Sequence, residues 1–379
     1  MTLSISGESP RVLAFGAYLK NRACLLEDGN IHWSCLHGDL QDPKACQALV
    51  ESIRLMIHNA GGTIDLIAHD MHPDFFSTVL ANQLSQSERL PRIAVQHHHA
   101  HIGAVASEYE LIGPVLGIAL DGSGWGGDHT IWGGELLLVD GSKAHRLGHL
   151  QQLALPGGDF ASKQSWRMAA SALHHLGLRH EITKRLGDRA GLKNAEMIKY
   201  MLDNKLNSPI TSSAGRWFDA AASLLGLCDY QIFEAEAAQL LETSATRWLK
   251  SHPQSQGSGS ARVTDELVLE LGPVIKQLLD DYPSEIDRLA AQFHLDLIDG
   301  LTAWVMKAQS QYPNINKVCL SGGCFHNAIL REGLKSALEA KNLQVYLPSG
   351  RQGDCGDSGL ALGQAWVGVQ YLKMGLTLV

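Results

Sequence analysis

Short apolar runs with a period of two alternate along this chain with longer stripes of period three to four, which predicts an α/β fold. Val12–Phe15, Ala23–Leu26 and Ile31–Cys35 read as strands, the last two joined at Asp28-Gly29. Ala45, Leu49, Ile53, Met56 and Ile57 form a helical stripe across 43–60. After the Gly61-Gly62 break come a buried-type strand (Ile64–Ala68), a helix (Phe76–Leu84) and a strand (Arg92–Val95). A second series starts at Gly113-Pro114, with Val115–Leu120 as a strand, 121–127 as a glycine-rich turn and Thr130–Val139 as its hairpin partner. Residues 160–250 are largely helical in pattern, and SHPQSQGSGSAR (251–262) reads as a mobile surface loop. A helix is expected from near Ser284, with Asp287 as its capping-box partner and Leu289, Phe293, Leu297 and Trp304 on its apolar stripe. Lys317–Leu320 is a strand running into Ser321-Gly322-Gly323. A strand at Gln344–Leu347, a turn at 349–359 and a terminal helix close the chain.

With 379 residues, 45% of them hydrophobic, the chain has material for two packed lobes, and a wholly disordered chain is excluded. The net charge of −8 gives no footprint for phosphate-backbone binding, so nucleic acid is not an expected partner. None of the seven cysteines forms a CxxC pair, which argues against a zinc ribbon or thioredoxin-type site. Free thiols in a reducing compartment are expected. No apolar run approaches the ~18 residues of a membrane span. A soluble, cytoplasmic chain is the expectation.

Four segments can carry chemistry. In Gln96-His97-His98-His99-Ala100-His101, positions i and i+4 of a helix share a face, so His97 and His101 can chelate one metal ion. A metalloprotease motif needs Glu after the first His, and position 98 is His. The alternative is a His-rich helix end without a ligand. Asp121-Gly122-Ser123-Gly124-Trp125-Gly126-Gly127-Asp128 follows an apolar strand: its glycines permit close approach of a phosphate, and its carboxylate can hold a metal. A glycine-rich hairpin without a ligand fits the same residues. Leu320-Ser321-Gly322-Gly323-Cys324-Phe325-His326-Asn327 offers the N-terminus of a helix to an anion. In Gly353-Asp354-Cys355-Gly356-Asp357-Ser358-Gly359, either aspartate can complete a His/His/Asp site. Cys324 lacks an evident base nearby and reads as a plain buried thiol.

Taken in order, VLAFGAYLKN (12–21), HDMHPDFFSTVLANQL (69–84), VQHHHAHIGAV (95–105), GPVLGIALDGSGWGGDHTIWGGELLLVD (113–140), LPGGD (155–159), LNSPITSSAGRWFDAAASLLGL (206–227), LSGGCFHNAIL (320–330) and GDSGLALGQA (356–365) resemble the carbamoyltransferase domain of the HypF hydrogenase-maturation family. That domain is similar to the universal tRNA threonylcarbamoyl transferase and to antibiotic O-carbamoyltransferases. The resemblance implies an α/β, two-lobed actin/sugar-kinase-like (ASKHA) fold with nucleotide in the interlobe cleft. The lobes are expected at 1–112 and 113–379.

The resemblance also implies roles. The family's metal pair falls on His97 and His101, and its aspartates on Asp121 and Asp357, holding iron or zinc. Phosphate of carbamoyl-adenylate (AMP after transfer) falls on Gly122, Ser123, Gly124, Gly322 and Gly323. Ribose and adenine contacts fall on Gly215, Asp219 and Asn327, and Lys20 contacts the acyl or phosphate group. Gly356, where HypF proteins usually carry Asn, leans toward the antibiotic enzymes. The implied reaction is carbamoyl transfer to the C-terminal Cys thiol of HypE, for the cyanide ligands of [NiFe]-hydrogenase. Complete HypF proteins precede this domain with acylphosphatase, CxxC zinc-binding and YrdC-like domains. None is expected here, so a separate YrdC-like protein or full-length HypF would supply the adenylate. The rival readings are O-carbamoylation of a small hydroxylated compound and a non-catalytic nucleotide-binding scaffold that docks HypE.

Overall fold

The computed structural model describes residues 10–283, 285–350 and 356–375. Two sheets organise the chain. The first, ordered β3-β2-β1-β4-β5, consists of β1 (Val12–Ala14), β2 (Cys24–Glu27), β3 (Asn30–Trp33), β4 (Leu66–Asp70) and β5 (Arg92–Val95). Helices α1 (Pro43–Asn59), α2 (Phe76–Glu88) and α3 (His97–Glu108) are its connections and exit. The second is built on β6 (Val115–Trp125), β7 (Ile131–Asp140) and β8 (Lys143–Leu150). After β9 (Leu153–Ala154), helices α4 (Phe160–Lys163), α5 (Ser165–His175), α6 (Arg179–Ala190) and α7 (Leu192–Asp203) lead to β10 (Ile210–Thr211). Helices α8 (Ala214–Leu224) and α9 (Glu236–Ser251) precede β11 (Arg262–Val263) and β12 (Val268–Glu270). Then come α10 (Gly272–Asp281), α11 (Ile286–Gln311), β13 (Lys317–Ser321), α12 (Ala328–Glu339), β14 (Gln344–Tyr346) and α13 (Leu360–Lys373). The main path of this sheet runs β11-β12-β8-β7-β6-β13-β14.

Strand alternation explains the layering. Leu116, Ile118 and Leu120 of β6 face a large core shared with α5, α8 and α11, where Trp166, Trp217 and Trp304 are fully buried. Val115 and Ala119, on the other face, pack with α3 and α13. In the first sheet Val12, Ala14, Leu66 and Ala68 meet that same central layer, while Leu13, Leu25 and Ile67 pack on α1 and α2. Helices α3 and α13 are therefore the shared hub between the two sheets. Their crossing depends on Gly363, where a Cβ would fall 1.7 Å from the Ala100 carbonyl oxygen. That close approach brings the start of α3 beside the residues preceding α13.

One expectation needs correction. The glycine-rich run after Leu120 does not turn at 121. A register shift between Leu120 and Gly124 lets β6 keep pairing with β7 to Trp125, and the turn proper lies at 126–130. In the stretch 251–262 Trp248 stacks on His252 at 3.7 Å, and Asp296 of α11 accepts bonds from Ser258, Gly259 and Ser260. The expected capping box rests on Ser284, which lies outside the described residues; Asp287 accepts from Ser244 and Arg247 of α9. Asp354, Cys355 and the start of the 353–359 turn also lie outside the described residues. Among the described residues no helix is long and apolar enough to cross a membrane.

Candidate active site

His97 and His101 open α3, capped by Gln96, whose side chain accepts from the His99 backbone N–H. Both rings are buried and lie on one face, with centroids 5.0 Å apart. Asp121 comes from β6 and Asp357 from the short 3-10 turn (Asp357–Gly359) entering α13. Ligand atoms of these four residues lie within 4.8 Å of one another. His97 Nε2 stands 3.3 Å from Asp121 Oδ2 and 3.6 Å from Asp357 Oδ1, and His101 Nε2 is 3.7 Å from each. A tetrahedral site with bonds of about 2.1 Å has ligand–ligand edges of about 3.4 Å. Neither Nε2 makes a hydrogen bond, although both are buried. Buried polar atoms seldom go without a partner. Two orphaned imidazole nitrogens facing two carboxylates are the donor set of a divalent cation such as iron or zinc, so the residues fit that group.

A third carboxylate stands behind. Asp70, fully buried at the end of β4, binds His97 Nδ1 through Oδ2 at 2.9 Å and accepts the His72 backbone N–H through Oδ1 at 2.9 Å. With Nδ1–H donating to Asp70, the Nε2 lone pair is left facing Asp121 and Asp357. Burial pushes the His97 pKa down, but Asp121, Asp357 and Asp70 outweigh it and hold it well above the usual histidine value. Burial pushes Asp121 up, but His101 and His97 outweigh it and hold its carboxyl well below the usual range. The His97 direction expresses the three carboxylates around it, and the Asp121 direction the two imidazoles that face it. The Ser321 hydroxyl approaches His101 Nδ1 at 3.5 Å.

The other two histidines of the run do not join. His99 Nε2 binds the Gly141 carbonyl at 3.1 Å, and burial lowers its pKa to about 4. His98 is buried, with its Nδ1 bonded to the Gln96 amide at 3.0 Å, and burial holds it neutral.

Around this group the glycine segments converge. Asp121 Oδ1 accepts the Gly323 backbone N–H at 3.2 Å. Gly322 has φ +106°, and a Cβ there would fall 2.3 Å from the Leu120 carbonyl oxygen, so only glycine lets β13 turn this close to β6. Gly215 lies in the first turn of α8 against Gly122 and the Asp121 carbonyl. Gly122 is half-buried and Ser123 exposed, whereas a Cβ on Gly124 would crowd His97 and His98. Asp219 is buried beside Arg216 at 2.9 Å and accepts from Gln231; burial raises its pKa to about 6. Asn327 caps α12 by accepting from the Leu330 N–H, and its amide lies 2.9 Å from His294 Nε2. Lys20 pairs with Glu234, in the segment before α9, at 3.1 Å. Burial pushes the Cys324 thiol far up, as expected for an inert sulfur.

Sequence reasoning missed Asp70 and the pair Glu135–Arg146. A signal existed for each: Asp70 ends a buried strand in HDMHPDFF, and Glu135 is a lone acid within the apolar run of β7.

A family model described as "Carbamoyltransferase, Kae1-like Domain, second subdomain" matches residues 117–364, and one described as "HypF Kae1-like domain" matches 7–108. The chain is 47% identical to the carbamoyltransferase HypF homolog of Cupriavidus necator, over 97% of this chain and 93% of that protein. It is 41% identical to carbamoyltransferase HypF2 of the same organism, over 97% of this chain but 48% of that one. A crystal structure of full-length HypF in a phosphate- and nucleotide-bound form superposes with a TM-score of 0.86 at 31% identity, covering 97% of this chain and 56% of that one. The T. kodakarensis HypF structure gives a TM-score of 0.86 at 28% identity, covering 98% and 49%. The chain thus spans nearly all of one relative and about half the length of the others. It has the two-lobed actin/sugar-kinase-like fold of these structures, and it belongs to the HypF carbamoyltransferase family.

Proposed function

We propose that this chain transfers a carbamoyl group from carbamoyl-adenylate to a thiolate, the C-terminal Cys of HypE, in the maturation of [NiFe]-hydrogenase. The observation that carries the reading is the group His97, His101, Asp121 and Asp357, drawn from α3, β6 and the entry to α13 and set against the glycine turns. Family membership supplies the transferred group. In the reaction the acceptor sulfur bonds to the carbamoyl carbon, the bond from that carbon to the phosphate oxygen breaks, and AMP leaves with the electron pair. His97, His101, Asp121 and Asp357 would hold a divalent ion, which would supply Lewis-acid polarisation of the mixed anhydride. Asp70 keeps His97 in the tautomer that presents Nε2 inward. Backbone N–H groups near Gly122–Gly124 and Gly322–Gly323 offer positions for the adenylate phosphate. Placing the two reactants in one cleft supplies the orientation that the transfer needs.

The direct test incubates the chain with authentic carbamoyl-adenylate and purified HypE and follows HypE by mass spectrometry. A carbamoyl adduct that disappears when the terminal Cys is deleted is the expected result. Transfer only to a small hydroxylated compound would favour the reading to which Gly356 leans, and nucleotide binding with no transfer at all would leave a scaffold. With carbamoyl phosphate and ATP in place of the adenylate, transfer is expected only when a YrdC-like protein is added.

A further inference from the structure

Glu135 is fully buried in β7, paired with Ala119 of β6 and on the face that turns toward α3. An isolated carboxylate is costly there, and this one is saturated. Its Oε2 accepts from Arg146 Nε at 2.6 Å, and its Oε1 accepts from the Gly133 N–H at 3.0 Å, the Gly134 N–H at 3.2 Å and the Ser212 hydroxyl at 2.5 Å. Arg146 reaches it from β8, where an extra residue, Leu147, opposite Leu136 and Leu137 of β7 shifts the register and re-aims the strand. The remaining guanidinium nitrogens bind Asp128 Oδ2 at 3.0 Å and Ser212 Oγ at 3.2 Å, and the group stacks over Trp132 at 4.0 Å. Trp132 in turn lies 6.1 Å from the ring of His98. A well-packed apolar pair often stabilises a fold as well as a buried ion pair does, so stability alone does not account for these residues.

The neighbour of Ser212 does. Ser213 Oγ lies 3.1 Å from the Asp121 carbonyl oxygen and 2.7 Å from that of Gly122, and it accepts the Arg216 N–H, capping α8. A continuous path therefore runs from Arg146 through Glu135 and Ser212-Ser213 to the backbone of the aspartate that faces His97 and His101. We infer that the Arg146–Glu135 pair is a positioning clamp, fixing the Asp121–Gly122 backbone and the first turn of α8 as one unit. This inference rests on the function proposed above for its consequence, namely that one clamp serves both the metal-facing carboxylate and the turns assigned to the nucleotide.

The test is the double variant E135Q/R146M, which removes both charges of the buried pair and leaves exposed Asp128 its bonds from Thr130 and Trp132, read by thermal melting, hydrogen exchange, and zinc affinity by chelator competition. The clamp predicts a fold that still melts cooperatively, faster amide exchange confined to 121–124 and 213–216, and zinc bound at least about ten-fold more weakly. Should that variant fail to fold, R146K, which keeps the charge but loses the fork to Asp128 and Ser212, is read in the same way. Unchanged exchange in both segments overturns the inference, whatever happens to activity. A wild-type chain that binds no zinc or ferrous iron would instead sink the proposed function, and the exchange comparison still decides the clamp.

Discussion

Asp121 and Asp296 are both buried aspartates in the larger lobe, and their surroundings differ in a way that separates chemistry from architecture. Asp296 is saturated: it accepts from the backbone N–H groups of Ser258 and Gly259, from the hydroxyls of Ser258 and Ser260, and from the Gln292 amide. Asp121 keeps a single backbone donor on Oδ1 and turns Oδ2 toward two imidazole nitrogens that find no hydrogen bond. A carboxylate that has consumed all its donors holds a loop. One that faces orphaned bases with more negative charge behind them is set for a cation.

The strongest way to break this contrast is to remove one imidazole. His101→Ala should abolish stoichiometric metal binding, and carbamoyl transfer with it, while circular dichroism and the melting profile stay close to wild type. A metal-free variant with full activity would contradict the assignment. Asp296→Ala should do the reverse. It orphans the donors of the 258–260 segment and should lower stability by about 3 kcal/mol in urea unfolding, with metal affinity unchanged. Loss of metal from that variant would erase the distinction.

The saturated side also has a pH signature. His294, two residues before Asp296 on α11, donates from Nδ1 to the Ala290 carbonyl and takes the Asn327 amide on Nε2, and burial lowers its pKa from the usual 6.5 to about 4. As pH falls through 6.5 the unfolded chain takes a proton that the native state refuses. Stability should therefore drop between about pH 6.5 and 4, by about 3 kcal/mol for this group, with no further loss below. Comparing unfolding of wild type and His294→Gln across that window isolates the contribution. The smallest expected effect sharpens the other side: Asp70→Asn, measured by metal titration, should weaken metal binding about 10–100-fold without removing it, because the amide oxygen can still accept from His97 Nδ1.

Much of the framework was legible in the chain. Period-two runs marked the central strands, and the i, i+4 spacing of His97 and His101 marked one helical face because helix geometry is local. The aspartates are a different case. The residues alone offered the Asp121 carboxylate as a metal ligand and left Asp354 and Asp357 as alternatives, and the resemblance to a family joined Asp121 and Asp357 to the histidine pair; the close crossing at Gly363 brings Asp357 to α3. Asp70, Glu135 and Arg146 stayed hidden because their significance lies in partners 27, 77 and 11 residues away. At 251–262 the serines and glycine of the low-complexity run supply the small donors that Asp296 collects. Composition misled at 121–125, where glycines signal a turn but a shifted register keeps the strand paired.

X-ray absorption spectroscopy of the purified, iron- or zinc-loaded chain tests the central claim most directly, since it reports the ligands themselves. The account predicts one ion per chain in a shell of nitrogen and oxygen only, at about 2.0–2.2 Å, with scattering from two imidazole rings. A sulfur shell at about 2.3 Å, fewer than two imidazoles, or no stoichiometric metal would contradict it.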